Sequence, residues 1–501
     1  VLIEMVETKE RGDDCFGKFM YSVCGFRQTA TSLLAAGVLL LVASTSVSAQ
    51  ILTSLLSFNG TNGTAPVGRD VVQATNGNLY GTTNGGGANN LGTVFKLTSG
   101  GMLNTLYNFD GMHGSSPQTG LVQGTDGNLY GTTQFGGTNS SCDVRGCGTV
   151  FKISPSGTLT VLYSFCEQSD CVDGDEPYAG LIQATDGNFY GATDQGGAYG
   201  YGTLFKIAPS GAFTTLHSFD FGDGAYPSAT LTQAADGNLY GTTGGGGSGS
   251  CNSGCGTIFK STLSGILTTL YSFCSQSACA DGSDAFASLE QATDGNFYGT
   301  TFAGGANGDG TVFRITPGGV LTTLHSFDGT DGSESESTLV QGTDGNLYGT
   351  TEFDGANSSG GTVFEITLGG VLTTVYSFCS QSNCTDGNVP TTIVQDTNGK
   401  FYGTTVYGGA NGDGTVFRLS VGLGPFVETQ PTSGRVGATV KILGTNLTGA
   451  TSVTFNGTPA MFTGSSTSIK ASVPMGATTG TVQVVTPHGT LSSNVVFRVR
   501  P

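Results

Sequence analysis

The chain is predicted to be all-β: a seven-bladed β-propeller closed by its own N-terminal strand and followed by a small immunoglobulin-like β-sandwich. Three observations carry that expectation. The phrase Asp-Gly-Asn-Leu-Tyr-Gly-Thr-Thr recurs with small changes, its tyrosine falling at Tyr80, Tyr130, Tyr190, Tyr240, Tyr298, Tyr348 and Tyr402. A Gly-rich stretch and a Gly-Thr-Val-Phe-Lys phrase follow each copy, with Phe95, Phe151, Phe205, Phe259, Phe313, Phe364 and Phe417 in register. Composition then shifts near Pro425, where short alternating apolar segments replace the repeats.

Each repeat yields four short strands. In the second, Leu121–Gln123 is the first strand, and Asp126-Gly127 is a tight turn of the kind that dipeptide favours. Asn128–Thr133, Gly148–Ile153 and Leu159–Phe165 complete the set, and helical periodicity is absent. Four antiparallel strands at intervals of 50 to 60 residues describe a propeller blade. The seventh repeat stops after its third strand at Leu419, while Ile51–Phe58 reads as an unattached fourth strand before the first repeat. Joining the two closes the ring and removes two exposed sheet edges.

These phrases resemble the GloVer-type tandem repeat over residues 51–420, which implies a propeller at an extracellular address. Pro431-Thr-Ser-Gly434, Gly444-Thr-Asn-Leu447, Val453-Thr-Phe-Asn-Gly457, Val473-Pro474 and Gly480-Thr-Val-Gln-Val484 follow one another in an order that resembles the IPT/TIG domain, implying a surface or spacer module. The expected domains are therefore a leader and signal peptide at 1–49, the propeller at 50–424 and the immunoglobulin-like domain at 425–501.

The leader is read from Arg27, the apolar run Leu33–Ala43 and the small residues Val47-Ser48-Ala49, with cleavage before Gln50. The acidic residues 1–19 do not suit a signal peptide, so Met20 is the expected start. No second run of spanning length occurs, which predicts a mature chain without a transmembrane segment, secreted, at the cell surface or in the periplasm. Of twelve cysteines, Cys15 and Cys24 fall in the leader. The other ten form five close pairs: Cys142/Cys147, Cys166/Cys171, Cys251/Cys255, Cys274/Cys279 and Cys379/Cys384. Spacings of this kind without nearby histidine suit disulfides in an oxidising compartment better than a zinc knuckle. Rings so small stabilise by about 2 kcal/mol each through loop entropy and so stiffen loops, all five on one rim.

Charge is divided unevenly. Residues 50–424 carry a net −21 and residues 425–501 a net +4, within a total of −18. The large domain has no basic stripe, which argues against a nucleic-acid partner. Loops between the repeats place Asn62, His113, Asp173, Asp223, Asp281, Asp331 and Asp386 at one aligned position, each before a glycine. Asp173, Asp223, Asp281, Asp331 and Asp386 are candidate ligands of Ca²⁺, since hard cations take convergent carboxylate oxygens. The competing reading makes each Asp-Gly a turn that every repeat needs. Catalytic motifs are lacking: there is no Gly-x-Ser-x-Gly, His-Glu-x-x-His or phosphate loop. Asp175, Glu176 and Glu290 break the repeat pattern and are the first candidates for acid–base chemistry. The sequence thus favours an exported binding or display protein for a glycan or a surface protein. The alternatives are a carbohydrate-active hydrolase or lyase using carboxylates on the disulfide-bearing rim, and a structural surface-layer component.

Overall fold

The computed structural model describes residues 50–500 apart from 67–70, 99, 140–141, 143–144, 250, 252–253 and 358–359. The expected leader, including Arg27, Cys15, Cys24 and the 47–49 cleavage motif, lies outside the described residues. Residues 48–501 belong to one compact unit. No α-helix occurs among the described residues, and no helix there is long and apolar enough to cross a membrane.

The repeats fold as seven four-stranded antiparallel sheets. The second is typical: Val122–Gln123, Leu129–Thr133, Thr149–Ile153 and Leu159–Ser164, paired in chain order. Its first strand is two residues long, one shorter than the sequence suggested, with Leu121 outside the ladder and buried. The seventh sheet is completed by the other end of the chain. Ile51–Ser57 pairs antiparallel with Thr415–Ser420, as the unattached strand and the missing one together required.

Two of the sequence phrases meet across the central strands. Gly131 stands opposite Phe151, and a Cβ on that glycine would lie 2.8 Å from the phenylalanine ring. The same pairing recurs from Gly81 with Phe95 to Gly403 with Phe417, so the aromatic ring occupies the space a side chain would need. The second threonine of Gly-Thr-Thr is buried and bonds the threonine that opens the third strand, as in Thr133 Oγ1 to Thr149 Oγ1 at 2.8 Å. Buried hydroxyls are thereby paired rather than left as a desolvation cost.

Consecutive sheets are joined three ways, and in each the seventh returns to the first. Every hydrophobic cluster of the repeat region draws on two neighbouring sheets, and one unites Tyr402 and Val416 with Leu79 and Phe95. The phenylalanine after each fourth strand meets the next sheet's phenylalanine edge to face, from Phe109–Phe151 at 5.4 Å to Phe58–Phe95 at 5.4 Å. Such pairs are each worth about 1 kcal/mol beyond their buried area. Finally, each first-strand glutamine accepts a backbone N–H from the preceding repeat: Thr75 to Gln123 (2.8 Å), through Thr343 to Gln395 (3.1 Å), and Thr397 to Gln73 (3.1 Å).

Residues 427–500 form two four-stranded sheets, a parallel pair of Ser433–Arg435 with Arg498–Arg500, and a shared core that includes Val440, Ile442, Phe455, Ile469, Val484 and Phe497. This unit contacts the end of the repeats that carries the Asp-Gly-Asn turns. Phe426 donates its N–H to Thr397 O, and Thr397 and Thr445 hydroxyls lie 3.1 Å apart. Lys441 interacts electrostatically with Asp126, and Arg498 with Asp236. The charge contrast between the two regions thus falls across an intramolecular contact.

Candidate functional site

The opposite end of the repeats carries the loops between sheets and the loops joining second to third strands. Isolated bridges such as Asp175 to Gln195 and Ser333 to Phe353 tie the two loop sets together.

All five expected cysteine pairs are disulfides here: Cys142–Cys147, Cys166–Cys171, Cys251–Cys255, Cys274–Cys279 and Cys379–Cys384. Their placement corrects the expectation that they only stiffen rim loops. Cys147 is fully buried, and so is Cys255. Each stands two residues ahead of its third strand, Thr149–Ile153 or Thr257–Ser261, where the chain has already entered the core. Cys147 shares a hydrophobic cluster with Val150, Phe165 and Phe205, and its carbonyl accepts the Glu176 N–H at 3.1 Å. Its sulfur is therefore a core anchor for the half-buried Cys142 and no part of an exposed binding surface.

The five aspartates considered for calcium each sit inside their own loop. Asp173 is fully buried and accepts from Tyr163 Oη (2.7 Å), Glu167 N (3.0 Å) and Gln168 N (3.3 Å). Asp281 and Asp386 repeat the arrangement with Tyr271 and Tyr376, adding the hydroxyls of Ser275 and Ser380. In two loops histidine replaces the tyrosine: His217 Nε2 lies 2.7 Å from Asp223, and His325 Nε2 lies 2.6 Å from Asp331. Burial alone would raise the Asp223 carboxyl. Hydrogen bonds from His217 and the Asp220 N–H, with the charge of His217, hold it below its ordinary value instead. Among the described residues no three of these carboxylates come within 4.8 Å of one another. The fourth-strand Tyr or His is therefore the donor that each aspartate anchors, a pairing visible in the sequence only as co-variation at two repeat positions.

The candidate catalytic carboxylates are likewise dispersed among separate environments. Glu176 accepts from Gln134 Nε2 at 2.9 Å, and Asp175 lies beside the sulfurs of Cys142, Cys166 and Cys171. Glu290 occupies a first-strand position that holds Val, Ile or Thr in the other repeats. Burial pushes its carboxyl up to about 7, partly offset by the Gln341 backbone N–H. Among the described residues the three do not form a group within 4.8 Å.

A cavity of about 280 Å³ opens on the same end, lined by Gln118, Tyr178, Glu336, Glu352, Phe353, Val389, Thr391, Val406 and Tyr407. Gln118, Tyr178 and Glu336 stand in the lead-in to a first strand, Val389 and Thr391 within the long first strand Asn388–Gln395, and Glu352, Phe353, Val406 and Tyr407 directly after a Gly-Thr-Thr. These are the positions where the repeats diverge: Asn84, Gln134, Asp194, Gly244, Phe302, Glu352 and Val406 are equivalents. Phe353 and Tyr407 keep 38% and 56% of their surface exposed, whereas the second-strand tyrosines and third-strand phenylalanines shared by all the repeats are buried. Glu334, beside the cavity, has its carboxyl raised by burial and by the charges of Asp354, Asp309 and Glu336. The surroundings are thus acidic, with no Lys or Arg in the lining. Sequence reasoning missed the cavity because its residues come from distant repeats; their departure from the repeat consensus was the available signal.

Fold and site together define an all-β repeat protein with one end stapled by disulfides and the other covered by its C-terminal region. The chain belongs to the Gloeobacter/Verrucomicrobia repeat family, whose description matches residues 36–171, 143–280 and 251–467. None of the curated proteins compared with it matches in sequence. Among solved structures, it is similar to two extracellular domains assigned to hybrid two-component systems of B. thetaiotaomicron. One is 14% identical over 83% of this chain and 50% of the other, with a TM-score of 0.46. The second is 12% identical over 91% and 60%, at 0.47. A protein from Bacteroides uniformis assigned as a 6-phosphogluconolactonase is 15% identical over 62% of this chain and 83% of its own length, at 0.41. The chain spans about half the length of the first of these structures.

Proposed function

We propose that this is an exported extracellular or cell-surface binding protein whose repeats form a seven-bladed β-propeller at 50–424, followed by an immunoglobulin-like domain of IPT/TIG type at 425–501. The three inter-sheet ties that return from seventh sheet to first support the closed ring. Five disulfides and the leader read at 1–49 support export. The five loop aspartates act as turn anchors rather than calcium ligands, since their oxygens are engaged within the loops.

The ligand is a neutral glycan held at the cavity by Phe353 and Tyr407. The carrying observation is the departure from the repeat at this cavity, where Phe353 and Tyr407 stay exposed while the equivalent Phe135 is buried and the other repeats hold Gly85, Gln195, Gly245 and Ala303 there. Aromatic faces stack on sugar C–H groups, while Glu336, Glu352 and Gln118 offer acceptors for hydroxyls. A net charge of −21 on the domain disfavours anionic ligands. Calorimetric titration with a panel of neutral oligosaccharides tests the reading. The F353A/Y407A double variant should bind about five- to 150-fold more weakly, from roughly 0.5–1.5 kcal/mol per ring contact. Unchanged affinity in that variant, or no binding across the panel, would refute the assignment.

A further inference from the structure

The cysteine pairs are not distributed as loop stiffening alone requires. Three between-sheet loops share the frame Ser-Phe-Cys-x-Gln-Ser-x-Cys, ending in the 3₁₀ turns Ser169–Cys171, Ser277–Cys279 and Ser382–Cys384. Their backbones agree closely, with the first cysteine at φ of 58°, 58° and 55° and the second at 51°, 52° and 50°. In the sixth repeat this turn forms around Cys379–Cys384 with no second pair near it among the described residues. In the second and fourth repeats, however, the loop between second and third strands contributes a further pair, and it meets the first. The Sγ atoms of Cys251, Cys255, Cys274 and Cys279 all lie within 4.8 Å of one another.

We propose that the fourth repeat carries a redox-gated tetrathiolate site, in which Cys251, Cys255, Cys274 and Cys279, once reduced, bind a soft divalent ion such as Zn²⁺. A tetrahedral zinc with Zn–S near 2.3 Å has sulfurs about 3.8 Å apart, within the spread already present. The four cysteines are held by bonds that do not depend on their sulfurs. Cys255 N–H donates to Gly246 O, Cys274 N–H to Gly282 O, Gly282 N–H to Cys279 O, and Gly254 N–H to Cys251 O. Cys251 N–H donates to Cys255 Sγ at 3.2 Å, an interaction that strengthens when the sulfur is a thiolate. Cys255 is fully buried in an apolar cluster with Phe273 and Ala285, against which Cys251 and Cys274 pack, whereas Cys274 and Cys279 keep partial exposure. A soft sulfur set in such surroundings selects zinc over calcium or magnesium.

The chemistry balances with an external dithiol as reductant. Each disulfide takes two electrons and two protons from one dithiol, which leaves as its own disulfide, so two equivalents yield four thiols. Metal binding then releases the four thiol protons to solvent. In the second repeat the corresponding group is Cys142, Cys166 and Cys171 with the Asp175 carboxylate, a mixed set less suited to zinc; Cys147, deep in its cluster, stands outside it.

The full chain is reduced anaerobically with a phosphine, supplied with Zn²⁺ or left without it, and alkylated while each cysteine is followed by mass spectrometry. Zinc should slow alkylation of Cys274 and Cys279 at least tenfold together with Cys251 and Cys255, and leave Cys379 and Cys384 unaffected. With Co²⁺, the tetrahedral thiolate absorption should be reduced in C251S/C255S and retained in C379S/C384S. Equal alkylation with and without zinc, or protection of one pair only, overturns the proposal. The protection measurement uses the unsubstituted chain, so it decides the matter even where C251S/C255S fails to fold.

Discussion

Replacing Asp281 with alanine isolates what a loop aspartate does. Its carboxylate is fully buried and accepts from Tyr271 Oη at 2.8 Å, Ser275 N and Oγ at 3.0 Å, and Gln276 N at 3.2 Å. Hydrogen bonds to a charged group are worth about 1.5–3 kcal/mol each when lost singly. They share one acceptor here, Tyr271 retains the Ser275 hydroxyl at 2.7 Å, and Ser275 and Gln276 can turn to water. The combined local cost is therefore about 3 kcal/mol rather than the sum. Because that cost falls on one loop, hydrogen exchange of the Ser275 and Gln276 amides reads it better than global unfolding. D281A should accelerate both by about 100-fold, at 1.4 kcal/mol per decade. D331A, whose carboxylate is only half-buried and bonds His325 and one backbone N–H, should cost about 1 kcal/mol. Neither effect should respond to Ca²⁺ or to chelator. Calcium-dependent protection in the unsubstituted chain that vanishes in D281A would refute the anchor role and restore the cation reading.

Two further perturbations address the frame. Q73A removes the acceptor for Thr397 N–H at the seventh-to-first junction, and Q123A removes the one for Thr75. Each should cost about 1 kcal/mol and speed exchange of its donor amide several-fold; a Thr397 amide that already exchanges freely in the unsubstituted chain would contradict the closed ring. Glu290 sets a pH dependence. Its folded pKa of about 7 exceeds the ordinary 4.5, so the folded chain holds the proton more tightly than the unfolded one. That contribution is full below about pH 4.5 and is lost as pH rises through 7. Asp396, raised by burial to about 6, adds to the same limb. E290Q should flatten the limb and raise stability at pH 8 by up to about 3 kcal/mol in denaturant unfolding. An unchanged pH profile would remove Glu290 from the account.

The repeats were legible because their periodic residues do the same task seven times. Phe151 over Gly131, Thr133 against Thr149, and Tyr130 donating to Asp126 at 2.8 Å are local pairings that the phrase itself encodes. The orphan strand Ile51–Ser57 could be placed because an edge without a partner is costly on both sides. Cysteine pairing was legible from spacing, whereas the burial of Cys147 and Cys255 was not, since a Gly-rich loop gives no sign of where it re-enters the core. The glutamine clasp escaped notice even though Gln73 and its six counterparts are invariant within the chain, since a half-buried amide in a two-residue strand reads as solvent-facing. The contact between the C-terminal region and the Asp-Gly-Asn turns was hidden for another reason. Thr397 lies in the seventh repeat and Thr445 in the C-terminal region, and nothing in either segment's periodicity specifies its neighbour.

Deviation from the repeat has two distinct meanings in this chain, and distance from the loop backbone separates them. Where His217 replaces tyrosine, the loop is four residues shorter, with His217 six residues from its aspartate and Tyr163 ten from its own, yet a donor to the same aspartate is preserved. Where Glu352-Phe353 and Val406-Tyr407 follow Gly-Thr-Thr, the side chains converge from separate repeats on one cavity. Folding cannot account for that convergence, because Gly244-Gly245 occupies the same two positions in a sheet with the same pairing. The cavity therefore reflects a requirement imposed after the repeat was already able to fold. Its location follows from the architecture: the C-terminal region covers the turns at one end, so the disulfide-stapled loops at the other are the surface left to diverge.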